Sequence, residues 1–160
     1  MDPTARTENV KARVLSYLSG LTITGSPTIA DSDEPGRTNQ ATPWARVVLD
    51  FDPGFNDGDL GAQIVYRSFV LVTIDLFFPS GDNGTSQNLY AIDLAADQYA
   101  DAMRNRSLSF LNYVADPSSP ATIANAEIQF DQPLIAQRIP QVSGYVRRQV
   151  VTRGRYHLRH

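Results

Sequence analysis

The sequence lacks cysteine and contains only two histidines, His157 and His160, both at its C-terminal end. The lack of cysteine excludes disulfides and Cys/His nucleophilic pairs, and it fits a reducing compartment. Two terminal histidines provide neither an ordinary catalytic zinc site nor a Ser/His/Asp arrangement. Phosphate-binding loops of the GxxxxGK or GxGxxG type are also missing. We therefore expect that the protein is not an enzyme and has no catalytic residue, cofactor or bound metal ion.

Long apolar runs are missing as well. No stretch of about 18 apolar residues occurs, so no membrane-spanning helix is predicted. The first 13 residues are polar and lack the apolar core of a signal peptide. We expect a single soluble domain of 160 residues, located in the cytoplasm.

Lysine is scarce, because Lys11 is the only lysine among 14 basic residues. Arginine is favoured at protein interfaces, although a GC-rich genome would produce the same bias. The net charge of −3 is unevenly distributed, since residues 144–160 carry +5 and the remainder carries −8. The arginines of this C-terminal segment are Arg147, Arg148, Arg153, Arg155 and Arg159. We expect this segment to be attracted to acidic surfaces of the same chain or of another copy.

Hydrophobic periodicity predicts two helices and three principal strands. Apolar residues at steps of three and four indicate helices over Thr7–Leu18 and from Leu89 to Met103, the second with Leu89, Ile92, Ala96, Tyr99 and Met103 on one face. Strands are predicted for Trp44–Phe51, Ser68–Phe78 and Gly144–Leu158, and the first two are expected to form an antiparallel pair. In the last strand, Arg147, Arg153, Arg155 and Arg159 share one face and most apolar residues share the other.

The remaining segments have weaker patterns. We predict a strand over Ala126–Phe130, a strand or extended connection over Leu134–Ile139, and a polar turn over Asp52–Gly61. Between Leu21 and Pro43 we expect a short strand and then a flexible loop at about residues 26–42, whereas Ser107–Pro120 shows no clear period. The order of elements predicts an α+β fold with a mainly antiparallel (mixed) β-sheet flanked by two principal helices, in a single domain.

Two acidic features suggest binding hypotheses. The segment Asp50–Gly61 is rich in the oxygen ligands that calcium prefers, but Gly61 stands where an EF-hand would need a glutamate, and a turn explains the segment more simply. Asp93, Asp97 and Asp101 lie four residues apart on one face of the second helix. They form either a solvated face or a docking surface for the arginine-rich strand, within one subunit or across a ring of identical subunits.

The C-terminal segment interleaves arginines with aromatic residues, a pattern that also occurs in nucleic-acid-binding proteins. The pI of about 5.2 argues against nucleic-acid binding, because phosphate binding needs a basic face.

Three stretches carry a resemblance to a known family. They are PWARVVLDF (Pro43 to Phe51), RSFVLVTIDLFFPSGDNG (Arg67 to Gly84) and the helix from Leu89 to Met103, followed by the final basic strand. In these stretches, which cover most of the chain, the sequence resembles the tail terminator and tail completion proteins of long-tailed bacteriophages.

The resemblance implies a structural assembly protein of the virion, in its tail or neck, assembled in the host cytoplasm. Such a protein forms a ring, expected to be hexameric, that caps the tail tube, stops its polymerisation and joins the tail to the head connector. The implied partners are other copies of the chain, the tail tube protein and the connector or stopper protein, while DNA passes through the lumen without specific binding. The alternatives are another neck ring protein, such as a head completion or stopper protein, and a small α+β ligand-binding or enzyme domain. The candidate interface residues are Arg147, Arg148, Arg153, Arg155, Asp93, Asp97 and Asp101.

Overall fold

In the computed structural model of the protein, two helices pack on one face of a large, curled, mostly antiparallel sheet, which confirms the predicted α+β class. The structure describes residues 7–31, 42–52, 55–60, 63–80, 86–113, 115–136, 139–142 and 144–159. The helices are α1 (Thr7–Ser19) and α2 (Ser86–Met103). The strands are β1 (Thr28–Asp31), β2 (Trp44–Phe51), β3 (Phe55–Leu60), β4 (Gln63–Pro79), β5 (Ser107–Leu111), β6 (Thr122–Phe130), β7 (Leu134–Ile135), β8 (Ile139–Val142) and β9 (Tyr145–Arg159).

The sheet is built around one long antiparallel pair. Strand β9 pairs with β4 along its whole length, from Tyr145 opposite Pro79 to Arg159 opposite Val65. The strand order is β1-β2-β4-β9-β6-β5, with β3 beside the first part of β4 and with β7 and β8 beside β9. Pairing of β2 with β4 is antiparallel, as predicted, whereas the edge strand β1 is parallel to β2.

The hydrophobic core lies between the sheet and the two helices. Alternate residues of β4, from Val70 to Phe78, are buried against the helices, because successive side chains of a strand point to opposite faces. The predicted apolar face of α2 faces this core: Leu89 packs against it, and Ile92, Ala96, Tyr99 and Met103 are buried within it. Because both helices use the same face of the sheet, no described helix covers the other face.

Two segments differ from their predictions. The polar turn predicted over Asp52–Gly61 is wrong for residues 55–60, which form β3 and pair with the beginning of β4, so that β4 starts at Gln63 rather than at Ser68. Backbone pairing with a neighbouring strand supports this polar segment, and its register is irregular between Asn56 and Asp59. The short strand predicted between Leu21 and Pro43 is confirmed as β1 (Thr28–Asp31), which lies inside the range of about 26–42 given to the loop, and residues 32–41 lie outside the described part.

Short strands account for the remaining differences. Ser107–Pro120, which shows no period, contains β5, and the strand predicted at Ala126–Phe130 begins earlier, at Thr122. The segment Leu134–Ile139 is divided between β7 and β8, which both pair with β9. Of the turn that follows Pro79, residues 81–84 lie outside the described residues.

Candidate assembly surfaces

The sheet surface that no described helix covers is called the helix-free face. One apolar row crosses it in register over four strands, with Val48 of β2, Thr73 of β4, Val151 of β9 and Leu134 of β7 side by side. Leu71 lies in the next row and is 42% exposed, and Leu134 is 74% exposed. Exposed leucines on an open sheet face are typical of a surface that another protein covers.

Asp75 anchors one end of the helix-free face. It is only 2% exposed, yet it accepts hydrogen bonds from Nη2 of Arg46 and Nη2 of Arg147, each at 2.9 Å, and from Nε2 of Gln149, also at 2.9 Å. Burial by itself raises the pKa of Asp75, but the hydrogen bonds from Arg46 and Arg147, the charge of Arg147 and the Gln149 bond together hold it below its usual value of 3.8. With two arginines for one aspartate, this cluster has a net charge of +1.

An aromatic cluster supports Asp75 from the neighbouring row. Trp44 stacks on Phe77, with ring centroids 4.2 Å apart, and Tyr145 contacts both rings edge-on. The guanidinium groups of Arg46 and Arg147 lie 5.9 and 5.5 Å from the Phe77 ring centroid. Aromatic and ionic contacts therefore hold both arginines in fixed positions.

A second arginine pair occupies the other end of the helix-free face. Arg153 and Arg155 donate to the two carboxylate oxygens of Asp131 at 2.9 and 3.0 Å. The guanidinium of Arg153 also lies 5.1 Å from the centroid of the Phe69 ring. Both arginines are about half exposed. Like the Asp75 cluster, this group has two cations for one anion.

The structure separates the three predicted aspartates of α2. Asp93 is half-buried and accepts a hydrogen bond from Nε of Arg148 at 2.7 Å, so this part of the acidic helix meets the arginine-rich strand within one subunit. Nη1 of Arg148 also donates to the carbonyl oxygen of Ala136 at 3.0 Å. In contrast, Asp97 and Asp101 are exposed, and Asp101 lies 3.1 Å from Nη2 of Arg104.

The outer surface of α2 combines apolar and acidic residues. Tyr90, Leu94, Asp97 and Asp101 follow one another at steps of three and four residues, so they form a continuous line along the helix, which we call the α2 stripe. Tyr90 is 73% exposed, although it is a large aromatic residue. The stripe has an apolar first half and an acidic second half.

A cleft of about 480 Å³ lies beside the end of α1. Its lining combines apolar residues (Leu18, Leu21, Ile23, Pro27 and Ile29) with hydroxyl-bearing ones (Ser19, Thr22, Ser26, Thr28 and Tyr99). Tyr99 supplies the only titratable side chain of this lining, and burial raises the pKa of Tyr99 to about 12. The phenol therefore stays protonated at neutral pH, and the cleft provides apolar contacts and hydroxyl groups rather than an acid or base.

No group of three His, Cys, Asp or Glu side chains arranged for a metal ion occurs in the described part of the chain. The side chains of Asn56, Asp57 and Asp59, to which the calcium hypothesis refers, lie outside the described ones, as do those of His157 and His160. None of the described helices is long and apolar enough to cross a membrane.

Sequence reasoning missed Asp75, Arg46 and Leu71. A signal for Asp75 was present, because it is the only charged residue in the apolar run from Phe69 to Phe78. An isolated carboxylate in a strand of this kind requires partners on adjacent strands. Arg46 could then have been recognised as one partner, from the antiparallel pairing predicted between β2 and β4.

Comparisons with known proteins show the fold and no function. No protein-family model matches the sequence, and no curated protein matches it. Four chains among the solved structures match. One of them aligns with a TM-score of 0.54 and 11% sequence identity, over 95% of this chain and 96% of its own length. The name of that protein states no activity, ligand or partner, so the similarity establishes a shared fold only.

Proposed function

We propose that the protein is a structural assembly protein of a long-tailed bacteriophage that forms a ring on the end of the tail tube, stops tube growth and joins the tail to the head connector. The observation that carries the proposal is the helix-free face, where a largely apolar row lies between two arginine clusters and exposed Leu71 lies beside Arg153. Such a face is suited to contact with protein, since hydrophobic area with arginine anchors is the usual composition of an interface core.

Ring formation requires two different surfaces on each subunit. In a closed heterologous assembly, one surface of each copy binds another surface of the next copy. The helix-free face and the outer surface of α2 lie on opposite sides of the sheet and differ in chemistry. This arrangement supports a ring, for which we expect six copies, located in the virion neck and assembled in the host cytoplasm.

The lumen of such a ring would carry DNA. The negative net charge supports passage without retention, because phosphate groups bind where cationic side chains are exposed. We expect Arg147, Arg153 and Arg155 to face subunit contacts instead of the lumen. A ring structure with these three arginines lining the channel would overturn this part of the proposal.

The experiment is to measure the molar mass by light scattering and to image the same samples by negative stain, at low and high salt. Rings alone, or rings formed after the tube protein is added, support the proposal. The decisive functional assay polymerises the tube protein with and without this protein, and a shorter, narrower length distribution is expected. A protein that remains monomeric under all these conditions and leaves tube length unchanged is not a tail terminator.

A ligand-binding domain is the second candidate, favoured by the cleft beside Tyr99, which combines apolar and hydroxyl-bearing residues. A screen of small molecules with both apolar and polar groups by thermal shift tests it, because a ligand of the native state raises the melting temperature. Substitution Ile29→Asp, which places a charge in the cleft, should remove such a shift.

The tube-length assay also distinguishes a tail terminator from a stopper protein. A stopper protein would bind the connector but would leave tube length unchanged.

A further inference from the structure

We propose that the α2 stripe of one copy binds the helix-free face of the next copy, with the helix lying along β9. The inference rests on the proposed ring function and assigns the contact that closes the ring. Both surfaces are exposed in the isolated subunit, and together they place an apolar surface against an apolar surface and carboxylates against arginines.

The order of chemical groups is the same along the two surfaces. On α2, Tyr90 and Leu94 are followed by Asp97 and Asp101. On β9 and its neighbours, the row of Val151 and Leu134 is followed by Arg153 and then Arg155. A single alignment of the helix on β9 therefore places the apolar half of the α2 stripe on the apolar row and its two aspartates on the two arginines.

The spacing of these groups also agrees. From Leu94 to Asp101 the helix rises about 10 Å, at about 1.5 Å per residue. From Val151 to Arg155 the strand extends about 13 Å, at about 3.3 Å per residue. The difference is well within the reach of an arginine side chain. Asp97 would thus lie near Arg153, and Asp101 near Arg155.

Charges elsewhere on the face determine which strand the helix follows. Arg153 and Arg155 share the single carboxylate of Asp131, so a second carboxylate is accommodated above β9. Asp50 is exposed opposite Leu71, two strands away from Arg153. An acidic helix over β2 would be repelled by Asp50, and the position over β9 avoids this repulsion.

The contact is heterologous, because the two surfaces lie on opposite sides of one subunit. Residue 71 lies on the helix-free face, opposite Arg153, and residue 94 lies on the outer surface of α2, beyond the sheet. A disulfide or a short bismaleimide linker joining these two positions within one chain is therefore excluded by distance. Because Asp97 is aligned with Arg153, position 94 of the next copy lies close to position 71, and cross-links between them report contacts between copies only.

Because the sequence contains no cysteine, introduced cysteines provide a direct test. The variant with Leu71→Cys and Leu94→Cys is treated with a short bismaleimide and analysed by denaturing electrophoresis. A heterologous contact gives a ladder of products that ends at the ring size, whereas an isologous contact of the same residues stops at the dimer. The matched control pairs Leu71→Cys with Ser19→Cys on α1, and we expect no ladder from it.

A charge exchange tests the alignment independently. Asp97→Arg and Arg153→Asp should each raise the subunit dissociation constant about tenfold, and combining them should restore most of the affinity. Glu8→Arg makes the same charge change at an exposed site of α1 and should have no effect. Circular dichroism confirms that each variant is folded.

The outcomes separate this contact from the ring function. Rings that form without a 71–94 ladder and without rescue by the charge exchange overturn the contact and leave the ring proposal standing. If Arg153→Asp abolishes binding to tube protein but leaves the rings intact, the helix-free face belongs to the tube, and the contact is again overturned. If neither rings nor tube-length control is observed, the proposed function itself fails.

Discussion

At the scale of single residues, Asp75 is the most deeply buried charged residue described on the helix-free face, and it binds two arginines and Gln149. Its pKa is held below the usual value, so its ionised form stabilises the folded state. This contribution is present above the pKa of the unfolded chain, about 3.9, and is lost as the pH falls through the lower pKa of the folded state. Acid should therefore loosen the contacts between β2, β4 and β9 at this end of the sheet.

Substitution Asp75→Asn tests this interpretation. It leaves Arg46 and Arg147 without their counterion, and we expect a loss of about 2 to 3 kcal/mol of unfolding free energy at pH 7, since Arg46 can turn partly toward water. The difference from the unmodified protein should be smaller at pH 3, because below about pH 3.9 the unfolded chain takes up a proton at Asp75, whereas the folded state does so only at a lower pH. Urea unfolding at both pH values measures it. The control Asp50→Asn, at an exposed site of the same face, should change stability by less than about 0.5 kcal/mol. A loss that is independent of pH contradicts the interpretation.

At the scale of secondary-structure elements, Gly154 determines how closely β4, β9 and β6 pack. A Cβ atom at this position would lie 2.9 Å from Cγ2 of Ile128, 3.0 Å from Cε1 of Phe130 and 3.0 Å from Cγ1 of Val70. Gly154→Ala should therefore destabilise the protein by about 1 to 3 kcal/mol through overpacking. Thermal unfolding measures this, with Gly20→Ala as the control, because a Cβ there meets only carbonyl oxygens at 3.5 and 3.6 Å. Equal stability of both variants would contradict the packing argument.

The link between α2 and β9 gives a second prediction at this scale. Arg148 binds Asp93 of α2 and the backbone of Ala136 within one subunit. Arg148→Ala should lower the unfolding free energy by about 1 to 2 kcal/mol and leave the oligomer mass unchanged. Arg153→Ala should show the opposite pattern, with little effect on unfolding and weaker association. Urea unfolding and light scattering on both variants distinguish the roles, and a smaller oligomer for Arg148→Ala would place Arg148 at the subunit contact.

The elements that the sequence predicts well are those with a clear period. Both helices and the long strands β2, β4 and β9 show apolar spacing of 3.6 or 2 residues, because one of their faces is buried. Strands β1, β3 and β7 lack such a signal, since they are short or polar and are held by pairing with distant strands. The Asp75 cluster could not be predicted in full from the sequence either, because residues 46, 147 and 149 are brought next to Asp75 only by the register of the sheet.

At the scale of the whole molecule, the two kinds of contact proposed between subunits should respond differently to salt. Screening weakens the ion pairs between partly exposed charges, whereas salt does not weaken burial of the apolar row and of Leu71 beside it. The ring should therefore weaken as salt rises but should still form at high protein concentration. An interface held by charge alone would dissociate completely.

Leu71→Asp tests the apolar share of the assembly. A charge at position 71, in the row next to the apolar row, must lose its hydration on association, so this variant should remain a folded monomer at every salt concentration. Leu71→Met keeps the apolar surface and should still form rings. Sedimentation velocity across a salt series, with circular dichroism to confirm folding, compares the three proteins. Rings of normal size from Leu71→Asp would exclude the helix-free face from the subunit contact. The edge strands β1 and β5 would then be the next candidates for that contact, because each has a described neighbour on one side only.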